Sequence, residues 1–240
     1  MNIVQDVFEH CSQHGPMTTE QRRRKLQDDL IDAAESAIAA GGLSALHARD
    51  LARTVGCALG AIYNVVPDLH ALVFQVNSRT LAMIEGHVAA SERIEVGAAV
   101  TPSDHPATVT LARLALAYFD FAAAHTMRWR ALFEHHLPGG QAIPDWHLAE
   151  HRRLFLKIET PLRAIIPEAD ATTCMLLARS LFSAVHGIVS LGLEEKLVPL
   201  PLVVLRQQTV TVAAAAARGL AVAPLAPLSL GSAPPPPSST

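Results

Sequence analysis

HARDLARTVGCALGAIYNVV, His47 to Val66, reads as two short helices joined by a tight turn. Ala52 is small, at a point where a second helix can cross closely. Gly56 follows four residues later, at the turn, where a left-handed backbone is easiest for glycine. Ile62 comes six residues after that, on the inner face of the second helix, and Leu51 and Val55 supply the other half of the contact. This small–glycine–aliphatic spacing is that of a helix-turn-helix, whose second helix is shaped for the DNA major groove. An ordinary αα-hairpin inside a helical core carries much of the same pattern, so the flanks matter.

Upstream, Leu26, Leu30, Ala33, Ala34, Ala37 and Ile38 form one apolar helical stripe, stopped by Gly41-Gly42. Ser44 is the expected N-cap of the next helix. Downstream, Pro67-Asp68 ends the second helix and opens a third, with Pro67 disfavouring helix at Val66. The run Leu26–Leu72 resembles the DNA-binding domain of the tetracycline-repressor (TetR) family of transcriptional regulators. The matching residues are Ile31-Asp32-Ala33-Ala34, Gly41-Gly42, Leu51-Ala52, Gly56, Gly60-Ala61-Ile62-Tyr63 and Pro67-Asp68-Leu69 with Ala71-Leu72. The resemblance implies an all-α chain: a three-helix helix-turn-helix DNA-binding domain over residues 18–75, then a larger helical domain over 76–219 that binds ligand and dimerises. Residues 1–17 are expected to be a flexible extension, and 220–240 a disordered Pro-rich tail ending PPPPSST.

The resemblance also implies the residues that meet DNA. Ala58, Leu59, Gly60 and Ala61 would face base edges, Tyr63 and Asn64 bases or phosphates, and His47 the backbone. The basic run Arg22, Arg23, Arg24 and Lys25 would reach along the duplex. The sequence departs from its family here. Ala58 stands where a serine or threonine commonly caps the recognition helix, Leu59 where a lysine often follows, and Val66 where an aromatic usually precedes the proline. Fewer polar contacts imply weaker, more salt-sensitive binding, or an operator read through thymine methyls and shape. Loss of operator binding, leaving a ligand- or partner-binding dimer, remains an alternative.

Half of the residues are hydrophobic and only 5% aromatic, with alanine and leucine dominant, which favours helices over sheet. The net charge of −3 does not by itself advertise a nucleic-acid binder. Cys11, Cys57 and Cys174 are odd in number and far apart, which argues against a disulfide frame and for a reducing cytoplasm. The Leu197–Leu230 region is broken by charges and prolines, so no membrane span is expected there.

Periodicity predicts helices over 19–40, 46–55, 59–65 and 68–90, a linker over 96–106, and helices over 108–124, 127–137 and 145–166, the last kinked or ended by Pro161. The helices over 171–196 and 200–219 are so apolar that a second chain is expected to cover them, making a homodimer through a four-helix bundle. The alternative is burial of both within one subunit. Ala117–Phe121, His125, Trp129-Arg130 and Ser183-Ala184-Val185-His186-Gly187 resemble the ligand-binding domain of one TetR branch. A pocket lined by Phe119, Phe121, Trp129, Phe133, Met175, Phe182 and His186 would suit a small hydrophobic or aromatic effector.

With 12 histidines, one further pattern stands out. His147-Leu148-Ala149-Glu150-His151 fits the H-x-x-E-H of one zinc-peptidase class, and histidines at i and i+4 share a helix face. No distal third ligand accompanies it, so a metal-dependent hydrolase is the remote alternative. A regulatory metal site using His147, His151 and either His135 or His136 is a nearer one, and a solvated histidine face is the plain reading. No nucleotide-binding glycine loop or nucleophile–base pairing appears, so no enzyme activity and no cofactor are expected.

Overall fold

The computed structural model describes residues 17–140, 142–194 and 199–222. The expectations for residues 1–16, for Glu195 and Lys196 at the end of the eighth helix, and for the tail beyond Val222 lie outside the described residues. Among the described residues every regular element is helical: α1 (Thr19–Gly41), α2 (Ala48–Val55), α3 (Leu59–Val65), α4 (Leu69–Ala89), α5 (Pro106–Ala124), α6 (Thr126–Glu134), α7 (Asp145–Ile165), α8 (Ala171–Leu193) and α9 (Leu202–Val222). Short 3-10 turns join several of them. The chain divides into two compact units, one formed by residues up to Asn77 with Arg130–Gly140, the other by Ser78–Trp129 with the residues from 141 onward.

The first unit is held by one apolar cluster. Leu30, Ala34 and Ile38 from α1 meet Leu51 and Ala52 from α2, Ile62 and Val65 from α3, and Leu72 and Val76 from α4. The caps explain the boundaries. Thr18 and Gln21 form a reciprocal capping box at the start of α1, satisfying two otherwise unpaired backbone donors. Gly42 ends α1 at φ +70°, and Gly56 ends α2 at φ +76°, its N–H donating to the Ala52 carbonyl. The left-handed turn at Gly56 is what lets α3 cross α2.

Ser44 does not cap α2. A 3-10 turn, Leu43–Ala45, intervenes, Ser44 donates its hydroxyl hydrogen to the Gly41 carbonyl, and His47 occupies the N-cap position without a side-chain bond.

In the second unit α5 packs chiefly against α9 and also against α7 and α8. Leu111, Leu162, Leu177, Leu181 and Ala217 form its core, with a second cluster around Ala112, Leu116 and Val210. Arg206 makes a two-pronged ion pair with Asp120, tying α9 to α5. Arg218 grips both carboxylate oxygens of Asp104 and the Ala99 carbonyl, fixing the segment before α5 to α9. The Arg218 guanidinium holds the Asp104 carboxyl well below the usual carboxylate range. Helix α7 continues past Pro161 to Ile165.

Helices α5 and α8 are each long and apolar enough to cross a membrane by length and composition. Most of the apolar stretch of α5 is instead buried inside the fold, whereas that of α8 is largely uncovered within one chain.

Candidate functional site

Helix α3 presents two opposite faces. Ile62 and Val65 point into the core, while Leu59 is 41% exposed and Tyr63 50%. Ala58, Gly60 and Asn64 are also exposed, and Ala61 is half-buried. Large apolar and aromatic side chains left outward on a helix whose inner face is anchored fit a surface built to meet another molecule. Beside α3 runs an open groove of about 470 Å³, lined by His47, Arg49, Asp50, Arg53, Leu59 and Tyr63 among others. Arg53 pairs with Asp50 across one turn of α2, offsetting the one acidic group in this groove.

The basic run on α1 is exposed throughout. Arg24 and Arg23 both reach Glu20, at 3.0 and 4.0 Å, and Lys25 lies 2.7 Å from Asp29. These pairs are solvated and therefore weak, so a phosphate can displace them at little cost.

The residues expected to line a pocket divide into groups. Trp129, 1% exposed, donates its Nε1–H to the Tyr118 hydroxyl oxygen at 2.8 Å. The Tyr118 hydroxyl lies 2.7 Å from His186 Nδ1, within hydrogen-bond distance. Phe182 stacks on His186 with ring centroids 5.6 Å apart, and Phe155 and Tyr118 pack edge-on to Phe182. Burial pushes the His186 pKa down and the Tyr118 pKa far up, so both are neutral near pH 7.

Phe121 sits apart in this unit, edge-on to His87 and tilted against His125. Phe119 is buried and Met175 half-buried. Phe133 belongs to the first unit and is exposed. Sequence reasoning placed Tyr118 on an inward face but missed its hydroxyl as the group joining Trp129 to His186.

The histidines pair up. His147, 4% exposed, lies with Nδ1 3.2 Å from Glu150 Oε2 and Nε2 3.3 Å from His151 Nε2. Glu150 Oε1 accepts the Ser78 hydroxyl at 2.5 Å. His135 is engaged in the first unit, its Nε2 2.9 Å from His70 Nδ1, and His136 Nδ1 donates to the Glu134 carbonyl. Among the described residues no group of three or more His, Cys, Asp or Glu is placed to hold a metal ion. The three-ligand centre of a hydrolase therefore has no counterpart among them.

Lowered histidine pKa values, those of His186 and His125 among them, predict how stability responds to acid. Burial is the main cause at both His186 and His125, opposed at His186 by Glu194 and reinforced at His125 by His87 and Arg128. Their folded pKa values lie below the ordinary 6.5, so between those values and 6.5 the unfolded chain binds more protons. The contribution of these two groups is therefore fully present above pH 6.5 and is lost as the pH drops through their folded pKa values. Thermal melts at descending pH from about 7.5 to 5.5 should show a steady decline; a flat profile would contradict this assignment.

Residues 111–216 match the sequence model of the family described as "Tetracyclin repressor-like, C-terminal domain". No curated protein matches the sequence. Among solved structures, a protein of unknown function from Rhodococcus sp. RHA1 is 24% identical, covers 88% of this chain and 98% of its own, and superposes with a TM-score of 0.59. A tetR-family transcriptional regulator from Streptomyces coelicolor is 18% identical over 85% of this chain and 90% of its own, with a TM-score of 0.51.

Proposed function

We propose that the chain is a ligand-responsive, DNA-binding transcriptional regulator of the TetR family, a reading supported by the match of residues 111–216 to that family's C-terminal domain. The observation that carries the DNA-reading part is the outward face of α3, Leu59 and Tyr63 exposed above a buried Ile62. On this reading Ala58, Leu59, Gly60 and Ala61 meet base edges, Tyr63 and Asn64 make polar contacts, and His47 with Arg22–Lys25 holds phosphate. A homodimer presents two such helices to successive major grooves of a palindrome, about 34–36 Å apart.

The dimer forms through α8 and α9, whose Leu191, Leu202, Val203 and Val212 are exposed apolar side chains within one chain. A four-helix bundle across a two-fold axis would cover them. The effector is a small hydrophobic or aromatic molecule received near Trp129, Phe182 and His186. The Tyr118 hydroxyl and His186 offer it one polar handle. Repression ends because ligand and operator favour different arrangements of the same dimer. The protein acts in the cytoplasm, where its operator lies.

The test is an electrophoretic shift with DNA from the chain's own upstream region, comparing the parent protein with Tyr63→Ala. An exposed contact residue is expected to cost about 1–3 kcal/mol of DNA binding, roughly ten- to a hundredfold, while the melting temperature stays put. A normal shift for Tyr63→Ala removes Tyr63 from the interface. A folded dimer that shifts no DNA at low salt would instead favour the ligand- or partner-binding alternative, to which Ala58 and Leu59 in place of polar and cationic residues also point.

A further inference from the structure

We propose that His147 and His151 form a binding site for a single transition-metal ion of the Zn²⁺ class, with Glu150 as its outer carboxylate. The distance between the two facing nitrogens carries the argument. Imidazole nitrogens bound to zinc at about 2.0–2.1 Å in a tetrahedral arrangement lie about 3.3–3.4 Å from each other. The two Nε2 atoms stand 3.3 Å apart, one helical turn from each other on α7.

The second observation is on the far side of the His147 ring. There Nδ1–H donates to Glu150 Oε2 at 3.2 Å, which leaves the lone pair on Nε2, on the side of His151. A carboxylate behind a ligating histidine is what fixes tautomer and ring orientation in metal sites. That carboxylate is itself steadied, because its other oxygen accepts the Ser78 hydroxyl from α4 at 2.5 Å. Burial also favours the neutral form of both imidazoles, which is the form that binds metal.

Without an ion, the one Nε2–H between the rings belongs to His151 and points at His147. When an ion enters, that proton moves to His151 Nδ1, so two neutral rings supply two lone pairs and no proton need leave the pair. Since no third protein ligand is in place among the described residues, the other coordination positions fall to water or to a donor atom of a small molecule. With two protein ligands the site is weaker than a closed four-ligand centre.

Zn²⁺ titration of the untagged full chain by calorimetry, after chelator treatment, tests this. One ion per chain is expected at the strongest site. His151→Ala should weaken it at least tenfold, and Glu150→Gln, which touches only the outer shell, by about 10–100-fold. His70→Ala, which breaks the separate His70–His135 pair, should leave it unchanged. Unchanged affinity in a His147→Ala/His151→Ala double variant overturns the proposal. If these variants fail to fold, imidazole NMR of the unaltered protein decides. The His147 and His151 signals should move together at one equivalent of Zn²⁺, and movement of other histidines alone overturns the assignment.

Discussion

Ile62→Ala is expected to destabilise the N-terminal unit by about 2–5 kcal/mol and to abolish any DNA shift at the same time. Ile62 is 0% exposed and lies among Leu30, Ile38, Leu51 and Val65, drawn from three different helices. Truncation removes the transfer free energy of three carbons and leaves a cavity that rigid helices on either side cannot close. The unit's core is small, and domains of this size hold only a modest margin of stability. A loss of that size takes most of it.

The loss should show as an early transition in denaturant unfolding, followed by the α5–α9 core at its own midpoint. Tyr63, one residue away but outward, is the control: its truncation acts on DNA and not on the melt. An Ile62→Ala protein that unfolds at the parent midpoint would mean that α3 is not anchored as described.

The contrast between these neighbours was legible in the sequence because the motif fixes the face. Gly56 and Pro67 bracket α3, and within this seven-residue helix Ile62 and Val65 are the buried residues. The start of α2 was not legible. Ser44 has the chemistry of an N-cap, but a three-residue 3-10 turn consumes it, and so short a turn leaves no period to read.

The candidate effector site was legible only in part, for a different reason. Trp129, Phe182 and His186 announce themselves as large or polar groups on apolar helices. Their connection through Tyr118 depends on a contact 68 residues away in sequence, which no local pattern encodes. The H-x-x-E-H run shows the opposite balance. Its spacing gave the His147–His151 proximity outright, while Ser78, 72 residues from Glu150, became visible only in the fold. Phe133 follows Trp129 by one helical turn on α6, and spacing alone did not reveal that the chain divides between them.

Trp129→Ala should be the most damaging single change in the C-terminal unit, at about 3–5 kcal/mol. The indole is the largest side chain among those fully buried, and its loss removes both its volume and the donor to Tyr118. Tyr118→Phe separates these effects. It keeps the ring and its packing against Phe182 but takes the shared oxygen away from both Trp129 Nε1–H and His186 Nδ1. Removing one partner from a buried hydrogen bond costs about 1–3 kcal/mol, more than the bond itself contributes.

A double-mutant cycle between Tyr118→Phe and His186→Leu then asks whether the three side chains act as one unit. Groups in one network show coupling of about 0.5–3 kcal/mol, whereas independent core residues add to within a few tenths. Coupling together with altered effector response in Tyr118→Phe would identify the hydroxyl as an effector contact. Simple additivity with an unaltered response would reduce Trp129, Tyr118 and His186 to packing.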